Sequence, residues 1–314
     1  MAKYSFGSGM PTWNGVPMVE NDFAGWFGTN TWYVDGDNGG DEQAGTMDKP
    51  FATIQHAIDS AGSQDTIYIR TLAPDADASE PGTYVEDLTI AYAKHGLKLI
   101  GVSSNFGVWG GPKIKNATAT ALLTVNASNV HVRNLQFNCT RNSGTYGVYL
   151  AGVSGYATLA GSVGFVMQNC MLKNSSTTYG GVNIIGGYGS VIRDCVFYAA
   201  ENAVWMSSGT LGSNQHRIIN CDFVDNNGTA LTTHITTHSG SHRGWVIRDC
   251  TFGGASPFIL VGANNTGLIS NCHFQDLTAT LANSTGGIDI PVATEVAVTD
   301  CSGGVGLDVI QSQA

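Results

Sequence analysis

The chain is poor in charge. Charged residues make up 12% of its 314 positions, about half the share found in an average soluble protein. The few that occur are unbalanced, with 14 Lys and Arg against 24 Asp and Glu and a formal net charge of −10. Because an acidic surface repels phosphate backbones, we expect no nucleic-acid partner. An acidic polysaccharide would also need a local cluster of basic residues in order to bind.

Membrane and secretion signals are also missing. No apolar run approaches the length of a membrane-spanning helix, so we expect no membrane association. The stretch "MAKYSFGSGM" has neither the apolar core nor the cleavage motif of a signal peptide, and we therefore expect no classical secretion. The seven Cys are then expected to be reduced thiols. Zinc sites typically use Cys-x-x-Cys pairs, and none occurs; disulfide or metal binding remains the alternative.

Glycine and apolar residues are abundant, with 41 Gly and a hydrophobic fraction of 42%. This composition favours an all-β protein with frequent tight turns. A motif also recurs, since "VIRDCVF" at 191–197 returns as "VIRDCTF" at 246–252. Alignment on the Cys gives related segments 22 to 29 residues apart. Short β-branched runs broken by Gly, Asn and Ser at this spacing predict the coils of a β-solenoid, stacked about 4.8 Å apart.

In such a solenoid, equivalent residues of successive coils lie on top of one another. The Cys column contains Cys170, Cys195, Cys221, Cys250, Cys272 and Cys301, and the bulky apolar column contains Leu172, Phe197, Phe223, Phe252 and Phe274. The residue before each Cys is Asn or Asp, and both types tolerate a left-handed backbone. We therefore predict a bend at Asn169, Asp194, Asn220, Asp249, Asn271 and Asp300.

The pattern resembles the pectate-lyase-like superfamily, whose fold is a right-handed, single-stranded parallel β-helix. The segment "WYVDGDNGGDEQAGTMDKPFATIQHAID" at 32–59 is similar to the opening of many such proteins. Its end predicts an amphipathic helix with Ile54, Ala57, Ile58 and Ala61 on one face, which would cap the solenoid. We divide the chain into an irregular N-terminal arm (1–31), an opening strand, loop and capping helix (32–62), the β-helix (63–302) and a C-terminal tail (303–314).

The arm and the opening motif together resemble tailed-phage virion proteins. This resemblance implies a structural role as a capsid decoration or head fibre protein, made in the host cytoplasm and located in the virion. It also implies a homotrimer that contacts the major capsid protein or another virion protein. Aromatic residues on an irregular arm would provide the docking surface. The candidate docking residues are Phe6, Trp13, Phe23, Trp26 and Phe27.

Residues suited to catalysis are scarce. Asp222 and Asp225 flank Phe223 without an equivalent in the next coil, so the paired acids of a glycoside hydrolase are not apparent. Arg193 and Arg248 hold the same place in two coils, about 10 Å apart if one coil lies between them. No Asp cluster of a lyase accompanies either. We predict no catalytic residues and no cofactor and favour a non-enzymatic role; the alternative is a tailspike-like β-helix that binds or degrades polysaccharide.

Two loops have spacings that suggest metal ligands. His234, His238 and His242 are four residues apart, but their Thr- and Ser-rich segment predicts an extended loop with exposed or inter-chain His. The alternation of Asp35, Asp37 and Asp41 resembles a loose Ca²⁺ loop. It lacks the Glu that such a loop needs at its end. We predict no metal at either place.

Overall fold

A computed structural model describes most of the β-helical region. The described residues are 30–73, 82–103, 110–117, 121–139, 146–151, 163–174, 181–198, 202–207, 214–224, 233–238, 242–253, 258–275, 288–290 and 295–303, with the backbone of 12–13 and 16–17. In the arm, β1 (Thr12–Trp13) pairs antiparallel with β2 (Val16–Pro17). Of the predicted tail, only Gly303 is described.

Three parallel sheets form the body of the protein. Sheet 1 contains β3 (Thr31–Val34), β4 (Thr66–Arg70), β7 (Lys98–Val102), β10 (His131–Arg133), β13 (Val166–Gln168), β16 (Val191–Arg193), β19 (Arg217–Ile219), β22 (Arg243–Arg248), β25 (Thr266–Ser270) and β28 (Glu295–Thr299). Sheet 2 contains β5 (Thr83–Val85), β8 (Lys113–Lys115), β11 (Gln136–Cys139), β14 (Met171–Asn174), β17 (Val196–Tyr198), β20 (Asp222–Val224), β23 (Thr251–Phe252), β26 (His273–Phe274) and β29 (Ser302–Gly303). Sheet 3 contains β6 (Leu88–Ile90), β9 (Ala121–Val125), β12 (Tyr146–Leu150), β15 (Val182–Ile185), β18 (Val204–Ser207), β21 (Ile235–Thr237), β24 (Ile259–Leu260) and β27 (Ile288–Asp289).

The chain visits the sheets in the order 1, 2, 3 and then returns to sheet 1 one coil further along. Each strand pairs in parallel with the strands of the preceding and following coils. The prediction of an all-β parallel β-helix is confirmed. No helix among the described residues is long and apolar enough to cross a membrane.

The bend between sheets 1 and 2 is one residue in the left-handed conformation. Its φ lies between 49° and 58° in seven consecutive coils, at Asn134, Asn169, Asp194, Asn220, Asp249, Asn271 and Asp300. The backbone N–H of this residue donates to a carbonyl of the next coil, as from Asp194 to Ile219. Asn and Asp adopt this conformation more readily than most residues do, so the predicted bend is confirmed.

The interior is a set of stacked columns. The structure buries every member of the predicted Cys column and of the bulky column. Phe197, Phe223, Phe252 and Phe274 form a continuous ring stack, with successive centroids 4.9, 4.7 and 5.0 Å apart and ring planes within 9° of parallel. Each thiol of the Cys column donates to the carbonyl two residues before it, as from Cys195 to Arg193 over 3.1 Å. The short repeat therefore encodes the interior and its bend together.

One helix closes the N-terminal end of the described sheets. Helix α1 (Ile54–Ser60) packs against β3, β4 and β6, and the four residues predicted to form its apolar face are all buried. Two of its free N–H groups are held by one acidic side chain from outside the helix. The carboxylate of Glu86 accepts from Ile54 N and Gln55 N at 2.9 and 2.8 Å. These bonds tie the helix to the first complete coil.

Candidate functional site: an arginine-lined groove

The outer face of sheet 1 presents two columns of side chains, because alternate residues of a strand point to opposite faces. One column contains His131, Val166, Val191 and Arg217; the other contains Ile100, Arg133, Gln168, Arg193 and Ile219. Together they line a concavity of 420 Å³ along five adjacent strands, which we call the arginine groove. A left-handed bend residue follows four of these strands, β10, β13, β16 and β19.

The groove is rich in hydrogen-bond donors. Arg193 and Arg217 are exposed and Arg133 is half-buried. Within the part of the chain that the structure describes, none of these three guanidinium groups has a carboxylate oxygen within ion-pair distance. Beyond the groove, Arg248 is paired with Asp249 over 3.5 Å. The groove is therefore a basic surface on an acidic protein.

Gln168 sets the position of the central arginine. Its Oε1 accepts a hydrogen bond from Arg193 Nη2 over 2.9 Å, and its Nε2 donates to Asp194 Oδ2 over 3.1 Å. The other oxygen of Asp194 accepts from Asn220 Nδ2 over 2.9 Å. Since a guanidinium has five N–H donors, Arg193 keeps most of them for a ligand.

Of the groove residues, sequence reasoning singled out only Arg193. It is separated from Arg248 by one coil, which places Ile219 between them, as the repeat spacing predicts. Arg133, Gln168 and Arg217 were missed, because alignment on the Cys emphasises constant inward positions while outward positions vary. Writing the outward residues of each "HVRN", "VMQN", "VIRD" and "RIIN" segment as columns would have brought the basic residues together.

The outer face of sheet 3 has a different character. Tyr149, Asn183 and Trp205 follow one another in adjacent coils, and the Tyr146 ring lies 5.3 Å from that of Tyr149. The two Tyr rings and Trp205 are half-buried, whereas Asn183 is buried and its Oδ1 accepts from Ser207 Oγ over 3.0 Å. This second face offers aromatic surface and little charge.

The three Asp of the opening loop have separate structural tasks. Asp35 is buried and forms an ion pair with Arg70, Asp37 accepts from Ala73 N over 2.8 Å, and Asp41 accepts from Ala52 N and Thr53 N. The hydrogen bonds at Asp41 lower the pKa of its carboxyl group against the opposing effect of burial, which is the largest single contribution. No group of three or more metal-ligating side chains occurs among the residues described. These carboxylates hold the loop and the start of α1.

The prediction of exposed His in the 233–242 segment is wrong for two of the three. His234 and His242 are buried, and only His238 is exposed. His234 lies 5.8 Å from Phe258 in a stacked arrangement, and its Nε2 is 2.9 Å from the carbonyl of Gly253. The corner between sheets turns these side chains inward even though their neighbours are small and polar.

The candidate docking residues Phe6, Phe23, Trp26 and Phe27 lie outside the described residues, and Trp13 is described by its backbone alone. Asp225 also lies outside them, while its neighbour Asp222 is exposed on β20. Docking by the arm therefore stays a prediction.

No family model and no curated protein sequence matches this chain. Solved structures do resemble it. A pectin methylesterase from Aspergillus niger superposes with a TM-score of 0.57 at 15% identity, over 87% of this chain and 85% of its own. A pectin methylesterase from Erwinia chrysanthemi gives 0.55 at 14% identity, over 90% and 92%, and a rhamnogalacturonan lyase gives 0.53 at 12%, over 78% and 68%. At such identity the likeness establishes the fold alone.

Proposed function

We propose that this protein is a polysaccharide-binding β-helix and that the arginine groove is its ligand site. The observation that carries the proposal is the groove itself, a concavity that runs across the strands and therefore along the helix axis. A linear polymer is the ligand that suits a groove crossing five successive coils. The lining combines fork-shaped donors at Arg133, Arg193 and Arg217 with an apolar floor at Val166 and Val191, which matches the hydroxyl-rich edges and C–H faces of sugar rings.

The structural neighbours support this choice. Their names describe enzymes that act on pectin or rhamnogalacturonan, so the same architecture carries polysaccharide ligands elsewhere. The proposal is for binding, because the groove offers donors and the carboxylate beside it, Asp194, is engaged by Asn220 and Gln168. Location in a virion, a homotrimer and a capsid partner stay predictions; a tail spike that binds host polysaccharide would combine a virion location with this function.

The test is a binding titration of the purified full chain against soluble polysaccharides, both neutral and acidic. The double variant Arg193→Ala/Arg217→Ala removes two groove cations, and Arg243→Ala is the matched control because Arg243 is exposed on sheet 1 but outside the groove. We expect the double variant to bind at least about tenfold more weakly and the control to bind like the wild type.

Two other results would count against the proposal to different degrees. If no polysaccharide binds, the function is wrong. If binding survives in the double variant but is lost in Trp205→Ala, the function stands and the site is the aromatic face of sheet 3.

A further inference from the structure

On the basis of the polysaccharide-binding function proposed above, we infer that the ligand of the arginine groove is an acidic polysaccharide, whose carboxylate or sulfate groups pair with Arg133, Arg193 and Arg217. Three facts carry this inference: the concentration of charge, its spacing and the way in which the central arginine is held.

The concentration of charge is unusual for this chain. Seven Arg occur among 314 residues of net charge −10, and three of them line one concavity of 420 Å³. An exposed Arg on an acidic protein has many carboxylates available as partners, and Arg248 is paired with that of Asp249. The groove arginines have none within ion-pair distance among the described residues. An anionic ligand would supply the missing partner, since a guanidinium forms its strongest, bidentate hydrogen bonds with carboxylate or sulfate-like groups.

The spacing of charge follows the coils. In one column, Arg133 and Arg193 are separated by the single residue Gln168, and Arg217 lies one coil further in the other column. Two coils correspond to about 10 Å. In an extended chain of pyranose rings, the distance from one sugar to the next is similar to the distance from one coil of the protein to the next. Acidic groups on alternate sugars would therefore meet Arg133 and Arg193, while the intervening sugar lies over Gln168.

The central arginine is held before the ligand arrives. The hydrogen bond from Arg193 Nη2 to Gln168 Oε1 restricts the guanidinium, and Gln168 is itself fixed by its bond to Asp194. Restricting a long side chain in advance lowers the entropy that binding costs.

Nucleic acid is the other polyanion that such a groove could attract. The net charge of −10 opposes its dense phosphate charge at long range. The described lining also contains no Phe, Tyr or Trp on which a base could stack. An acidic polysaccharide has a lower charge density and needs no stacking platform.

The experiment compares matched ligands that differ only in charge. Polygalacturonate is titrated beside its methyl-esterified form. Chondroitin sulfate is titrated beside desulfated chondroitin, which keeps only the carboxylate, and beside desulfated, carboxyl-reduced chondroitin, which has neither group; the three together separate carboxylate from sulfate as the anionic group. We expect an acidic form to bind at least about tenfold more tightly than its neutral counterpart, and added salt to weaken that binding. Arg133→Gln, Arg193→Gln and Arg217→Gln should each cost about tenfold, while Arg243→Gln, outside the groove, should cost nothing.

A role of Gln168 as a positioning residue has its own readout. Gln168→Leu removes the acceptor for Arg193 but no charge, so it should weaken binding to acidic ligands less than Arg193→Gln does. The salt dependence should stay that of the wild type, because the number of charges in the groove is unchanged.

The outcomes separate this inference from the proposed function. If neutral and acidic polysaccharides bind equally and the Arg→Gln variants behave like the wild type, the acidic ligand is wrong and polysaccharide binding stands. If no polysaccharide binds, both are wrong. If single-stranded DNA binds as tightly as the acidic polysaccharides and the same variants abolish it, the groove is a general polyanion surface and the inference is overturned.

Discussion

The side-chain amide of Asn220 donates a hydrogen bond to Oδ1 of Asp194, one coil earlier, over 2.9 Å. The same bond recurs from Asn271 to Asp249 over 2.7 Å. Along this bend the residues from Asp194 to Asp300 alternate strictly between Asp and Asn. An Asn between two Asp supplies a donor and keeps like charges apart. The alternation has a period of two coils, which matches the Asp of "VIRDC" at 191 and 246 and the Asn of "RIINC" in the coil between.

Asn220→Asp tests this alternation. The substitution removes the amide donor and places three carboxylates in consecutive coils, while Asp still accepts the left-handed backbone. Because the position is exposed, we expect a modest loss of about 1 kcal/mol in unfolding free energy near neutral pH. The loss should shrink in acid, where the carboxylates become protonated. Urea unfolding at several pH values measures it.

Asn220→Gly is the control for that experiment. It keeps the backbone conformation and removes the amide without adding charge, so its destabilisation should depend less on pH than that of Asn220→Asp. Equal pH profiles for the two variants would mean that charge repulsion plays no part in the ladder.

How far the sequence predicts this protein depends on which side of the sheet is considered. The inward columns were predictable because burial restricts each position to one kind of residue, such as Phe at 223 and 252 or Cys at 221. Outward positions are under no such restriction, so Arg193 is followed by Ile219, and the groove becomes visible only when the register of sheet 1 is known. Glu86 was missed for a related reason, since its partner helix α1 is 31 residues away in sequence.

Phe223 is the centre of the ring stack and should be the most sensitive position in it. It lies between Phe197 and Phe252, at centroid distances of 4.9 and 4.7 Å, and is buried. Phe223→Ala leaves a cavity between two rings and should cost about 3–5 kcal/mol. Phe223→Leu keeps most of the volume and should cost under about 1.5 kcal/mol. Urea midpoints compare the two variants.

The neighbouring Val224→Ala is the control, because Val224 is on the same strand with its side chain 40% exposed. Its effect should stay within about 0.5 kcal/mol. If Phe223→Ala were no more destabilising than Val224→Ala, the stack would not contribute to stability.

The cysteine thiols inside the β-helix should be inert in the native state. None of the seven forms a disulfide, and all are buried. Burial raises the pKa of the Cys139 thiol to about 12, which suppresses the reactive thiolate. We expect a thiol reagent to modify no Cys in the folded chain and all seven after denaturation. Rapid modification of the native protein would mean that the Cys column opens without global unfolding.

Two buried histidines should make the fold sensitive to mild acid. Burial lowers the pKa of His234 to about 4, and burial together with the nearby His242 lowers that of His216 to about 4. In the unfolded chain both imidazoles have a pKa of about 6.5. As pH falls below about 6.5, the unfolded state takes up protons first, so stability is complete above that pH and is lost down to about pH 4.

Each buried histidine should contribute on the order of 2–3 kcal/mol to this loss. Asp41 and Asp65 have lowered pKa values, so the stability that they contribute is lost only below their ordinary pKa of 3.8, in a separate pH range. His234→Phe keeps a ring beside Phe258 and removes the titrating group, so the fall in unfolding free energy between about pH 7 and pH 4 should become smaller. His273→Gln, at an exposed position, is the control. An unaltered pH profile in His234→Phe would show that the buried imidazole does not resist protonation, and that acid acts elsewhere in the fold.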